Sequence, residues 1–366
     1  MGRYEIGLAT PEEDEQLMAI QAMPMEGSIK ISYQRQPSIF TSIGLLGHHS
    51  DIMVMRDTKK DQIAGFGVRS IKRAYVNGEL SDVGYLNGLR SREEYRGSVL
   101  LARAYRYLRE LHDQSPMPMY FTTIIEGNEV ALSALTGGKA GLPRYQDIGR
   151  YTTYALKASR GHSRDHGITI VKGCSDRLPE IVEFLNQESS RFQFGAHYDT
   201  LELQESAQYR GLSMDDVYVA YDNGSCVGVL AVWDQNFCKQ NVVSGYADRT
   251  NKYRRVYNLV ARIGQNPQLP PVGAKISLSY IAMLAVQDDD KVVFESLLDK
   301  VRGSNRNRGN DYVLVGMHED NPLSSVLQKL HPITYHSRFF TVFWEDGRQF
   351  YEALDGRTPH VEVSSM

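Results

Sequence analysis

Two tight-turn signals, Asn77-Gly78 and Asp222-Asn223-Gly224, lie between strand-like apolar runs, and this arrangement constrains the fold more than any other feature. Asn-Gly at such a position supplies the two left-handed residues that join adjacent antiparallel strands. The same succession of elements follows each turn. After the first, Val83 to Leu89 reads as a strand, Val99 to Leu111 as an amphipathic helix and Met119 to Ile125 as a strand. Val130 to Leu135 is then a short helix and Gly149 to Leu156 a strand. After the second hairpin and an insertion come a strand from Ile276 to Val286, a helix from Val292 to Val301 and a strand from Tyr312 to Met317. A helix at Leu323 to Leu330 and a strand at Phe339 to Trp344 complete that half. The segments before the hairpins also agree, because a strand leads into a helix at Tyr4 to Ile20 and again at Ile168 to Leu185. Thr10 caps the first of these helices, with Pro11 at its first position and acidic residues in its first turn.

This repetition predicts a mixed α/β protein of two tandem domains, each a twisted mixed sheet flanked by helices. The length of 366 residues suits two domains of roughly 150–200 residues. Residues 1–157 form the first domain, and the polar, basic stretch 158–167 is a linker. Residues 168–366 form the second domain, with an insertion near 235–275. A net charge of −3 excludes a global electrostatic case for nucleic acid or a membrane surface, so any basic patch must be local. Cys174, Cys226 and Cys238 give no paired framework, which favours a reducing compartment. No apolar run approaches the ~20 residues of a membrane span, and the N-terminus lacks a signal-peptide core. Ile6 replaces the Ser or Thr of a myristoylation signal. The expected location is the cytoplasm.

One stretch of the first half carries chemistry: Leu89-Arg90-Ser91-Arg92-Glu93-Glu94-Tyr95-Arg96-Gly97-Ser98-Val99-Leu100-Leu101. It is a strand end, a turn, and Arg-Gly-Ser opening a helix. The first N–H groups of a helix have no internal partner and carry partial positive charge, which suits a phosphate. Gly97 permits close approach, and Arg96 adds a full charge.

Here the sequence resembles the GNAT acyltransferase superfamily. Those proteins hold the pyrophosphate of acetyl-CoA on an Arg/Gln-x-x-Gly-x-Gly/Ala loop between the fourth strand and third helix. Leu100, Ala104, Tyr105 and Leu108 fall where the family's helix faces its sheet, and Asn128-Glu129-Val130-Ala131 matches the family's Asn-x-x-Ala signature. The resemblance implies an N-acyltransferase that moves an acetyl group from acetyl-CoA to an amine. It implies pantetheine along Leu89, Arg90 and Ser91, pyrophosphate on Arg96, Gly97, Ser98, Val99, Leu100 and Leu101, and Asn128 in the site. A backbone N–H on the fourth strand would stabilise the oxyanion. Val99 and Leu101 stand where the family has small residues, and Leu135 stands where it often has an acidic Tyr. Tyr145 is the nearest downstream phenol, and Glu126 is a base candidate on position alone. In the second half the equivalent loop is Gln287-Asp288-Asp289-Asp290-Lys291, whose carboxylates would repel a pyrophosphate, while Asn321-Pro322-Leu323-Ser324 echoes the second signature. That half reads as a degenerate copy.

Other motifs favour structural readings. His162 and His166 have metal-ligand spacing but lie in the linker without a third ligand, and His48-His49 is a weaker signal, so no metal is expected. Gly65-Phe66-Gly67 lies inside a strand pattern, and Thr136-Gly137-Gly138-Lys139 lacks the rest of a P-loop. The insertion between Arg249 and Arg262 mixes basic residues with Tyr253 and Tyr257. An amphipathic surface helix is the expected reading there, and nucleic-acid binding is the alternative. The expected partner is a small-molecule or peptide amine, with no membrane or nucleic acid. Two rivals are a non-catalytic tandem GNAT-like binding protein and an aminoacyl-tRNA-dependent transferase of the FemX type.

Overall fold

The computed structural model describes residues 3–25, 27–96, 99–137, 141–159, 167–263 and 267–366. In the first half the strands and helices run β1 (Tyr4–Leu8), α1 (Asp14–Gln21), β2 (Ile29–Gln34), α2 (Ile39–Ile43), β3 (His49–Asp57), β4 (Gln62–Val76) and β5 (Glu79–Ser91). They continue through α3 (Leu100–Gln114), β6 (Tyr120–Ile125), α4 (Glu129–Thr136) and β7 (Arg144–Lys157). The second half runs β8 (Thr169–Lys172), α5 (Leu178–Ser189), β9 (Gly195–Ala196), α6 (Thr200–Glu205), β10 (Val217–Asp222), β11 (Ser225–Trp233) and β12 (Gln240–Tyr246). It ends with α7 (Asp248–Ile263), β13 (Leu278–Val286), α8 (Lys291–Asn307), β14 (Tyr312–His318), α9 (Ser324–Gln328), β15 (Ile333–Phe343) and α10 (Arg348–Glu352).

The predicted turns form as the residue types require. Asn77 and Gly78 take φ of 52° and 83°, and Asn223 and Gly224 take 47° and 86°, so both hairpins use the left-handed pair that matches strand twist. The helix of the candidate loop also turns as its pattern predicts: Leu100, Ala104, Tyr105, Leu108 and Leu111 of α3 are buried, at spacings of three and four.

The halves share one continuous sheet, in the order β1-β3-β4-β5-β6-β15-β7-β14-β13-β11-β10-β8. The last strand of each half is exchanged. β15 lies between β6 and β7, pairing Thr341 with Phe121 on one side and with Gln146 on the other. β7 in turn pairs with β14, Tyr154 opposite Val315. Neither half therefore closes its sheet without a strand from the other. One apolar core packs Leu17, Ile20, Val54, Phe66, Tyr85 and Phe121 with Phe339 of β15. On the opposite face α3 and α4 cover Leu86, Ile124 and Phe340. Most of the expected linker, residues 160–166 with His162 and His166, lies outside the described residues.

A separate two-stranded ribbon joins β2 to β12, with Tyr33 opposite Asn241. The sequence pattern does not foreshadow it. Its strands are more than 200 residues apart, so although β2, Ile-Lys-Ile-Ser-Tyr-Gln, alternates apolar and polar residues, nothing nearby in the chain points to β12 as its partner.

Candidate functional site

β5 and β6 run parallel but pair only at Gly84–Tyr120 and Tyr85–Phe121. Beyond that, the Thr122 hydroxyl donates to the Leu86 carbonyl at 2.7 Å and the strands part. Gly84 is required at this apex, because a Cβ there would lie 1.9 Å from the Tyr120 ring. A bulge follows, with Val68 opposite Asn87 and Phe66 opposite Arg90, so that Gly88 and Leu89 face Gly67 alone. Gly88 takes φ of +65°, the backbone a glycine adopts without strain. The bulge turns the strand outward: Leu89 is 43% exposed, and Arg90 and Ser91 are half-buried.

The second half builds the same device. β13 and β14 pair only over Leu278–Tyr280 and Tyr312–Leu314, and a bulge then sets Met283 and Leu284 against Leu230. Met283 is fully buried with φ of +53°, a left-handed conformation costly for a residue with a Cβ. This second opening is filled by the chain itself. The Leu284 N–H, immediately after the bulge residue, donates to the Glu362 carboxylate at 3.0 Å, and Val363 packs on Leu278, Tyr280 and Leu314. Glu362 also accepts from the Tyr198 hydroxyl at 3.0 Å, and its burial raises the carboxyl pKa.

The helix starts beyond the two bulges differ in the same sense. Asp290 caps α8, accepting from the Val292 and Val293 N–H groups at 2.7 and 3.2 Å, and Asp289 is paired with Arg191 at 2.9 Å. The α8 start is thereby satisfied by its own carboxylate. Val99, at the corresponding position of α3, supplies no side-chain cap and is 68% exposed. The approach to α3 is anchored from below. Arg92 donates to the Ile63 carbonyl at 2.9 Å, and the buried Tyr95 hydroxyl donates to Asp57 at 2.9 Å and accepts from Gln62 at 2.6 Å. Hydrogen bonding from Arg3 and then Tyr95 holds the Asp57 carboxyl down to about 2. Arg96 is exposed, Leu100 is buried and Leu101 half-buried, and Gly97 and Ser98 lie outside the described residues.

The other sequence candidates divide around this opening. Asn128 caps α4, accepting from the Ala131 N–H at 3.2 Å, and is exposed, so its side chain has the structural role of a cap. Glu126, just past β6, is held by Arg150 at 2.7 Å. That ion pair occupies the carboxylate and argues against its use as a base. Tyr145 is hydrogen-bonded to the Tyr105 hydroxyl and packs edge-on to Phe340. It belongs to the cluster that also contains Leu86 and Ile124, the residues on either side of the opening. Burial raises its phenol pKa well above 10, so it stays protonated at neutral pH.

Sequence reasoning missed a cluster of tyrosines and cations where the halves meet. Tyr335 of β15 is 41% exposed, yet desolvation raises its phenol pKa, with Tyr33, Tyr280 and Tyr85 close enough to contribute. Arg35 follows β2, and desolvation lowers its pKa among Tyr280, Cys238, Tyr33 and Tyr85. Arg90 donates to the Met23 carbonyl at 2.9 Å, and burial and then the charge of Arg35 lower its pKa. Lys72 lies 5.0 Å from the Tyr85 ring, its pKa pushed down to about 7 by burial. These residues come from five strands and a loop, and no linear motif joins them. Asn87, at the bulge, has a buried Nδ2 without an acceptor among the described residues. Among the described residues no group of three or more His, Cys, Asp or Glu is placed to hold a metal. No described helix is long and apolar enough to cross a membrane.

No protein-family model matches the sequence, and no curated protein matches it. Solved structures do match. A tandem GNAT protein from the clavulanic acid biosynthesis pathway shares 12% identity at a TM-score of 0.56, over 92% of this chain and 98% of that one. A GCN5-related N-acetyltransferase from Sphaerobacter thermophilus shares 10% identity at a TM-score of 0.55, over 100% and 99%. The Saccharomyces cerevisiae N-myristoyltransferase with bound myristoyl-CoA shares 11% identity at a TM-score of 0.61, over 94% and 79%. Identity this low speaks to architecture alone, and on architecture the sheet, the paired bulges and these neighbours agree: the chain has the tandem fold of the GNAT superfamily.

Proposed function

We propose that the protein is an N-acyltransferase in which the first half binds acyl-CoA, acetyl-CoA in the simplest case, and the amine enters beside the tyrosine cluster where the halves meet. One observation carries this reading. Both halves build a parallel strand pair that parts at a bulge, but among the described residues only the second is closed by its own chain and capped by its own aspartate. The first keeps the exposed Leu89, no aspartate before α3 and the exposed cation Arg96, a set that suits a phosphate-bearing arm. The orphaned Asn87 amide at the bulge supports a bound group that brings an acceptor.

Bound there, acyl-CoA supplies the activated thioester. Leu89, Arg90 and Ser91 line the arm, and Arg96 to Leu101 receive the pyrophosphate. On the α3 side Tyr145 is positioned by Tyr105 in the cluster with Leu86 and Ile124, and we assign it as proton donor to the departing thiolate, the proton lost by the attacking amine restoring its phenol. Tyr33, Tyr85, Tyr280 and Tyr335 shape the acceptor side, with Lys72 5.0 Å from the Tyr85 ring. Asn128 fixes the start of α4. A binding-only role draws its support from the Glu126–Arg150 ion pair, which occupies the one carboxylate proposed as a base.

The test is release of free CoA thiol on mixing acetyl-CoA with a panel of amines, run on the wild type and on Arg96→Glu. The expected result is amine-dependent release that the variant loses. Binding of acetyl-CoA without release for any amine would favour the binding-only role. Equal behaviour of the two proteins would remove the pyrophosphate assignment.

A further inference from the structure

The helix α7 stands almost entirely outside the protein. It meets the body along one line, spaced four and three residues apart. The Arg254 guanidinium lies over the Tyr246 ring at 5.2 Å, the Asn258 amide exchanges hydrogen bonds with the Leu269 backbone at 3.0 and 2.8 Å, and Ala261 is buried. Away from that line Tyr253, Val256 and Val260 recur at the same spacing with Leu259 flanking them, and Tyr257 lies at the edge toward Tyr312 of β14. They are 64%, 64%, 43%, 63% and 63% exposed in the order Tyr253, Val256, Tyr257, Val260, Leu259. A soluble helix turns such a stripe inward, and this one turns it outward.

Charge identifies what covers it. The helix carries Arg249, Lys252, Arg254, Arg255 and Arg262 against the single acid Asp248, although the whole chain has a net charge of −3. Arg249 is exposed at the N-terminal end of the apolar stripe, Lys252 and Arg255 beside it, and Arg262 at the C-terminal end of the helix. An antiparallel pairing with a second copy would set Arg249 and Lys252 against Arg262, like charge on like. A nucleic acid would neutralise the cations and leave Val256, Leu259 and Val260 uncovered. A helix with an apolar stripe bordered by Lys and Arg suits an interface that is apolar beneath and anionic above.

We propose that α7 docks the protein on an anionic phospholipid surface, its apolar stripe entering the headgroup boundary and its cations meeting lipid phosphates. This departs from the sequence expectation of no membrane partner, and it does not depend on the acyl-transfer reading. The helix rises about 24 Å over its length, enough to lie flat on a membrane and too short to span it.

The experiment is co-sedimentation of the full chain with vesicles of phosphatidylglycerol and phosphatidylcholine, compared with phosphatidylcholine alone, at about 0.1 M salt. Binding at least about tenfold tighter to the anionic vesicles is expected. Val256→Glu with Val260→Glu, and separately Arg249→Gln with Lys252→Gln and Arg255→Gln, should each abolish it. These side chains are exposed, so thermal unfolding of both variants should match the wild type and show that they remain folded. Equal sedimentation with both vesicle types, or binding unchanged in the apolar variant, would overturn the proposal. So would a dimer in light scattering that the Val256→Glu and Val260→Glu substitutions dissociate, or tRNA binding that the charge variant alone loses.

Discussion

Replacing Gly84 by alanine tests how the opening between β5 and β6 is set. The added Cβ would lie 1.9 Å from the Tyr120 Cδ1 and 2.3 Å from its Cε1, far inside contact distance. The ring cannot swing aside easily. It is fully buried, and its hydroxyl is bonded to Arg69 at 3.2 Å and to the His112 ring at 2.9 Å. Overpacking of this kind costs about 1–3 kcal/mol, occasionally more, and the pinned ring places Gly84→Ala at about 3 kcal/mol. Gly88→Ala provides the comparison. Its Cβ would meet Val68 at 3.4 Å and Phe66 at 3.5 Å, ordinary contacts, so the cost is that of a left-handed alanine at φ of +65°. That cost is about 1–2 kcal/mol. Thermal unfolding followed by circular dichroism reads both. A loss of 3 kcal/mol lowers the midpoint of a chain this long by roughly 4 °C, and Gly88→Ala should lower it by about half as much. If Gly84→Ala were the milder substitution, or neutral, the steric account of the apex would be refuted.

Other perturbations address neighbouring parts. Asp51→Ala leaves Arg69, which pairs with it at 2.9 Å and is 2% exposed, as an unmatched buried cation. A loss of about 3–5 kcal/mol is expected in thermal unfolding. Asp57 has a folded pKa of about 2 against an ordinary 3.8, so its contribution is full above pH 4 and is lost as the pH falls toward 2. Asp57→Asn should therefore flatten the acid limb of a stability-versus-pH curve, and an unchanged limb would contradict the assignment. Tyr145→Phe should lower kcat by about 100-fold while leaving acyl-CoA affinity within a few-fold, as expected for lost proton donation. A kcat within threefold of the wild type would return Tyr145 to a packing role.

Local chemistry was legible in the sequence wherever neighbours along the chain decide it. Asn77-Gly78 and Asn223-Gly224 make their turns because φ > 0 is intrinsic to those residue types. The buried face of α3 follows from helical spacing alone. The contrast between Arg96 and the aspartates before α8 was also visible, because both depend on residues adjacent to a helix start. Pairings across long separations left no such trace. The exchange of β7 and β15 depends on register between strands nearly 200 residues apart, and either strand would pattern identically in its own sheet. Glu362 looks like one more acidic residue near the end of the sequence, yet it occupies the bulge N–H that marks the second half as closed. The tyrosine cluster was invisible for the same reason, since Tyr33, Tyr85, Tyr280 and Tyr335 come together only once the halves are joined.

The central claim is that one of two similar openings is a cofactor site and the other is filled by the chain. Calorimetric titration of acetyl-CoA into the wild type and Arg96→Glu tests it directly. The account predicts one molecule bound per chain and no detectable binding to the variant. Two molecules per chain, or one that Arg96→Glu leaves unchanged, would place the cofactor elsewhere and contradict it.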